Sequence, residues 1–267
     1  MTAAEVARGR GIVYLLTYKV TTDTEIFLRK LNHFYSYVYA KVFNRPLFHV
    51  IGDSHTWAFK RQRSFIVHNI GPATAYNLVN KNSSVQSNRK LFEVIRRIDI
   101  KKDVVIMVFG EIDCRVHFYN QHMKSGGKVS IEELMDRTIA NYGEVLAQLK
   151  GMGVNFVVYG VLPASKHVFR FPPYATEKIK EDLFSEFRNS YPFLASPEVR
   201  SPINRRFNQK LKTFCEAHGY RYLDIYPVVA DDRGLIKDEF AADEIHVTGK
   251  IMPYVKSMLE KQGCPKA

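Results

Sequence analysis

Phe48-His49-Val50-Ile51-Gly52-Asp53-Ser54-His55-Thr56 decides how the rest of the chain is read. An apolar run of strand type stops at a glycine and passes at once to an acid, a serine and a histidine. That is the order expected where a strand delivers a side chain into a tight turn. A serine placed there is a candidate nucleophile. To act as one it needs a base, an acid to orient the base, and donors for an oxyanion.

Further strand-like runs follow at 65–70, 104–109, 156–161 and 220–225, rich in Val, Ile, Phe or Tyr. So short and so apolar, they suit strands covered on both faces, as in a parallel sheet. Helical patterns lie between and after them. Ile131, Leu134, Ile139, Val145, Leu146 and Leu149 mark 130–150, ended by Gly151. Phe207, Leu211 and Phe214 mark 203–218, and Ile251, Val255, Met258 and Leu259 mark 248–262. Strands alternating with helices predict an α/β fold, a three-layer α/β/α sandwich with about five parallel strands.

Upstream, residues 22–43 read as a helix. Thr22 and Glu25 have capping-box spacing, and Phe27, Leu31, Phe34, Tyr35, Val38 and Val42 recur at helical intervals, which predicts one buried face. Tyr35, Tyr37 and Tyr39 also fit a membrane-surface or partner face, but core packing is the commoner use of such a stripe. Pro46 stops the helix. Residues 1–46 thus read as an N-terminal helical extension and 47–267 as one domain. Residues 163–202 break the alternation, with prolines at 163, 172, 173, 192, 197 and 202. Following the fourth strand, this insertion is placed to be a lid or specificity wall at the carboxyl edge of the sheet, or a cover over its side.

Composition excludes several classes. The 267 residues are 46% apolar, yet no stretch approaches the ~20 apolar residues of a membrane span. Ile12-Val13-Tyr14-Leu15-Leu16 lacks the cleavage pattern of a secretory signal and reads as a strand or core segment. Cys114, Cys215 and Cys264 form no C-x-x-C pair, which points to a reducing, cytoplasmic setting without a disulfide framework. The net charge of +12 favours anionic partners, but the cations are spread along the chain with no nucleic-acid motif. Specific nucleic-acid binding is therefore not expected. The chain has no G-x-G-x-x-G, no Walker loop and no metal-ligand spacing among His49, His55, His68, His117 and His122, so neither cofactor nor metal is expected. Cys114 follows Asp113, whose charge would oppose a thiolate nucleophile.

The base and its acid emerge near the other end, in Asp243-Glu244-Ile245-His246-Val247-Thr248. This loop joins the fifth strand to the last helix, at the same sheet edge as Ser54. A histidine with an acid three residues before it can bond that acid through one ring nitrogen and face a serine hydroxyl with the other.

Together these blocks resemble the SGNH/GDSL hydrolase family over roughly residues 47–262. Gly52-Asp53-Ser54 matches the family's G-D-S, Asp243-x-x-His246 its final block, and Leu223-Asp224-Ile225 also reads like its members. The resemblance implies a flavodoxin-like arrangement with Ser54 as nucleophile, His246 as base and Asp243 as its orienting acid. It also implies that the N–H groups of Ser54 and Gly71 hold the oxyanion. The third block departs from the pattern. The family's G-x-N-D falls on Gly110-Glu111-Ile112-Asp113, so an isoleucine stands where an asparagine would donate. Loss of one such donor costs ~10²–10³ in rate. Arg115 is the candidate replacement, or a grip for an anionic part of the substrate. Glu111 and Asp113 either orient Arg115 and line the pocket or brace the loop. Phe118 and Tyr119 fit a sugar-stacking surface, though loop packing is the simpler reading. The implied activity is a serine esterase or O-acyltransferase acting on O-acyl groups, with a carbohydrate acetyl ester as the favoured substrate. The alternative is a non-catalytic SGNH-fold domain that binds a glycan or protein partner.

Overall fold

The apolar runs form five strands, all parallel, in the order β2-β1-β3-β4-β5. They are β1 Phe48–Gly52, β2 Phe65–Asn69, β3 Val104–Val108, β4 Phe156–Tyr159 and β5 Arg221–Leu223. The structure is a computed structural model and describes residues 24, 27–28, 30–166, 197–243 and 245–266.

Alternate residues of each strand face opposite cores. Ile51, Val105, Met107 and Val158 pack with α2 (Ser87–Ile95), α4 (Ile131–Gly151) and α5 (Pro197–Ala217), through Leu91, Leu146 and Phe207 among others. Phe48, Val50, Ile106 and Val157 face the other way, towards α6 (Tyr226–Val229) and α7 (Met252–Lys261), which contribute Val229, Val255 and Leu259. The result is the three-layer α/β/α sandwich the alternation predicts. Chain order reverses between β1 and β3, and the crevice at such a reversal, outside the carboxyl ends of the strands, is where open parallel sheets bind ligands.

Among the described residues, three α-helices lay outside the sequence reading: α2, α3 (Phe118–Lys124) and the short α6. α2 has no side-chain cap and follows an Asn- and Ser-rich stretch, so its start carries no signal. α3 continues a π-helical segment, Asp113–His117, and its Phe118 and Tyr119 are buried, which removes them as a sugar-stacking surface. The insertion 163–202 is also shorter than expected. Residues 197–202 already belong to α5, which tolerates Pro202 near its start; 167–196 lie outside the described residues.

The N-terminal helix, α1, runs over residues 30–42; Thr22 and Glu25 of the expected capping box lie outside the described residues. Its expected buried face is a correction. Phe27, Leu31, Phe34, Val38 and Val42 are exposed, whereas Ser36 and Ala40 are buried. The reason is local. α1 closes the open edge of β2, where His33 Nε2 accepts the Val67 N–H (3.2 Å) and Asn32 Nδ2 donates to Gln62 O (3.4 Å). Small residues permit that close approach and large ones do not.

Candidate active site

Gly52 ends β1 because nothing larger fits. A Cβ there would stand 2.0 Å from the Val108 carbonyl oxygen of β3. Beyond it, Asp53 caps a 3-10 turn, Ser54–Phe59, accepting the His55 N–H on Oδ1 (2.8 Å) and the Thr56 N–H on its carbonyl (3.2 Å). Ser54 heads this turn, where first-turn N–H groups have no acceptor within the helix.

The loop before α7 brings His246 to the serine across 192 residues of chain. Ser54 Oγ and His246 Nε2 are 2.7 Å apart. His246 Nδ1 lies 2.7 Å from Asp243 Oδ2, and Asp243 Oδ1 accepts the N–H groups of Ile245 (2.9 Å) and His246 (2.8 Å). Against the effect of burial, those bonds hold the Asp243 carboxyl below its usual range. A carboxylate that only accepts obliges Nδ1 to carry the proton, leaving Nε2 as the acceptor facing Ser54. Burial, followed by the charge of His55, depresses the His246 pKa despite the pull of Asp243.

His55 was not singled out by the sequence reading, and it proves central. Its ring is buried between acceptors: Nδ1 is 2.9 Å from Asp53 Oδ1, Nε2 is 3.0 Å from the Ile245 carbonyl and 3.6 Å from Glu111 Oε2. With acceptors on both nitrogens, both must donate, so the ring is an imidazolium. Burial opposes the charge, but the Glu111 and Asp53 carboxylates outweigh it and raise the pKa to about 9. The bond to Ile245 also ties the turn headed by Ser54 to the loop carrying His246. Glu111 passes the network on to Arg115, whose Nε donates to Oε1 (2.7 Å), and against burial these cations hold the Glu111 carboxyl low. Asp53, Glu111 and Tyr159 line a cavity of about 10 Å³, and Asp53 Oδ2, Glu111 Oε2 and the Tyr159 hydroxyl are buried without a hydrogen-bond partner.

The remaining candidates sort clearly. Asp113 does not line the site: it is fully buried, and its two oxygens accept the N–H groups of Ala75 (2.6 Å) and Tyr76 (3.1 Å), bracing the loop after β2. Burial raises its pKa to about 7 against those bonds. Gly71 lies just past β2 with φ +98°, and its N–H donates to Asn69 Oδ1 (2.9 Å), so that amide is engaged in this conformation. Ile112 precedes the π-helical segment as its cap residue, and its side chain has no donor to offer. Cys114 is buried and its thiol pKa is pushed well up, leaving it inert. Among the described residues no cluster of His, Cys, Asp or Glu is able to hold a metal, and no helix is long and apolar enough to cross a membrane.

The sequence reading also passed over Trp57. It is 42% exposed and stacks on the His246 ring with centroids 5.2 Å apart, while Lys60 Nζ lies 4.2 Å from its centroid. Its place three residues after a turn serine carried no signal of this, because the contact depends on a loop from the far end of the chain.

The strand order, the serine after β1 and the D-x-x-H before the last helix now stand in one frame. They lie on an α/β/α sandwich built on a five-stranded parallel sheet, the architecture that the sequence resemblance implies. No family model and no curated protein matches the chain. Among solved structures it is similar to a GDSL-like lipase from Bacteroides thetaiotaomicron, at 14% identity and TM-score 0.48 over 82% of this chain and 86% of that one. It is also similar to an acetylxylan esterase from Geobacillus stearothermophilus, solved as a catalytic mutant, at 12% identity and TM-score 0.45 over 83% and 96%.

Proposed function

We propose that the protein is a serine-dependent esterase or O-acyltransferase acting on O-acyl groups, with an O-acetylated carbohydrate as the favoured substrate. The observation that carries this is the line of Ser54 Oγ, His246 and Asp243, joined by two contacts of 2.7 Å.

Ser54 Oγ attacks the acyl carbonyl and its proton passes to His246 Nε2. Asp243 stabilises the imidazolium that forms, and the ring then protonates the departing alcohol. The acyl-serine is resolved by water in hydrolysis or by a sugar hydroxyl in transfer, His246 again taking the proton. The N–H of Ser54 is the first oxyanion donor. Gly71 joins it once its N–H turns from Asn69, and Arg115, set by Glu111, supplies the third donor in place of the missing asparagine. Trp57, exposed beside His246, offers an aromatic face for a sugar ring.

The test is turnover of a chromogenic acetyl ester by wild type and Ser54→Ala, with an organophosphonate probe for Ser54. Serine-dependent turnover and labelling of Ser54 are expected. Absence of both would replace the enzyme with a binding module built on the same fold.

A further inference from the structure

α1 buries its small side and displays its large one. Leu31, Phe34, Val38 and Val42 are between 44% and 69% exposed and, three or four residues apart, make one stripe along the helix. Beside it runs an open groove of about 630 Å³ lined by Leu28, Leu31, Phe34, Tyr35 and Val38, with Arg61 at its rim. An apolar stripe on a helix already bonded to the body by its other side marks an interaction surface.

The chain that builds this surface is rich in cations, and the nearby Asp103 carboxylate is buried. From residue 26 to residue 92 the chain carries ten Lys and Arg and a single acid, Asp53, which is buried under the nucleophile's turn. The cations of the whole chain are spread out, but this stretch exposes no acid. Lys30, Lys41 and Arg61 are exposed near the stripe, and the Arg63 guanidinium lies over the Tyr39 ring at 5.0 Å. A second copy of the chain would bring the same cations to a self-complementary interface, cation facing cation. A bilayer rich in anionic headgroups instead meets every feature: acyl chains for Phe and Val, the interfacial layer for tyrosines, and phosphates for Lys and Arg.

We propose that α1 docks the protein on an anionic lipid surface, its apolar stripe entering the acyl boundary while Lys30, Lys41 and Arg61 meet headgroup phosphates. This stands on the helix and its charge alone and is independent of the esterase reading.

The full chain is to be sedimented with vesicles of phosphatidylglycerol and phosphatidylcholine in equal parts, and with phosphatidylcholine alone. Binding to the anionic vesicles is expected, weakened by salt and lowered about tenfold or more in Phe34→Glu/Val42→Glu. Both positions are exposed, so the variant keeps its fold, checked by an unchanged melting curve and unchanged turnover of a soluble ester. Failure of the wild type to bind anionic vesicles overturns the proposal. So does a dimeric wild type in analytical ultracentrifugation that the double substitution makes monomeric, which would assign the stripe to a second copy.

Discussion

The rings of His55 and His246 lie 5.0 Å apart, centroid to centroid, and their hydrogen-bond partners assign an extra proton to His55 and withhold it from His246. His55 donates to Asp53 and Ile245, whereas His246 presents a bare Nε2 to Ser54. A cation fixed beside His246 favours its neutral form. The groups facing His55 are Asp53, Glu111, Arg115 and His246, and only Arg115 and His246 oppose its charge.

The acid limb of kcat/KM therefore lies below the ordinary histidine pKa of 6.5. Replacing the cation in His55→Asn lets His246 hold its proton more tightly, so the limb moves to higher pH. A pH profile of kcat/KM for both proteins checks this; a limb that stays in place would mean the His55 charge does not reach the base.

Stability carries the same signature with a defined sign. The His55 pKa is raised from 6.5 to about 9, so its stabilisation is complete below pH 6.5 and is lost as pH rises through about 9. Glu111, depressed below 4.5, stabilises above that value and loses its effect as pH falls. Thermal melts should show wild type weakening across the alkaline window, while His55→Asn, less stable throughout, changes less there.

Gly52→Ala tests why the motif begins with glycine. The new Cβ meets the Val108 carbonyl at 2.0 Å, a backbone atom in the centre of the sheet, so β1 and β3 must separate. A destabilisation on the order of 3 kcal/mol is expected. Urea unfolding measures it, and a loss confined to activity would show that the strands yield easily.

The third block makes its own prediction. Ile112→Asn returns a side-chain donor where the resemblance places one, and kcat should rise by about tenfold or more, up to the ~10²–10³ that a single oxyanion donor supplies. Arg115→Met should lower kcat with KM little changed. Equal kcat in Arg115→Met and wild type would leave Arg115 as a brace for Glu111 alone.

Trp57→Ala separates recognition from chemistry. For an acetylated oligosaccharide KM should rise several-fold, about the worth of one stacking contact, while a small chromogenic ester is less affected. Parallel kinetics on the two substrates decide it, and equal effects on both would restrict Trp57 to shielding His246.

The sequence by itself determined the sheet and the line of Ser54, His246 and Asp243. Runs of Val, Ile and Phe such as Val104–Val108 have only one good environment, a strand covered on both faces, and helices spaced between them leave parallel order as the solution. Ser54, Asp243 and His246 were legible because each sits at a strand end or in the loop before the last helix, where topology alone sends it to one edge. What only the tertiary structure decided depends on contacts between distant loops. His55 becomes an imidazolium because a carbonyl 190 residues away faces its Nε2, and Trp57 stacks on His246 only once that loop arrives. Asp113 turned inward because Ala75 and Tyr76 offered it two N–H groups. The helical periodicity of Phe34, Val38 and Val42 showed one apolar face, but which side of α1 met the body was settled by how closely the edge of β2 must be approached, and Ser36 and Ala40 are small enough to do it.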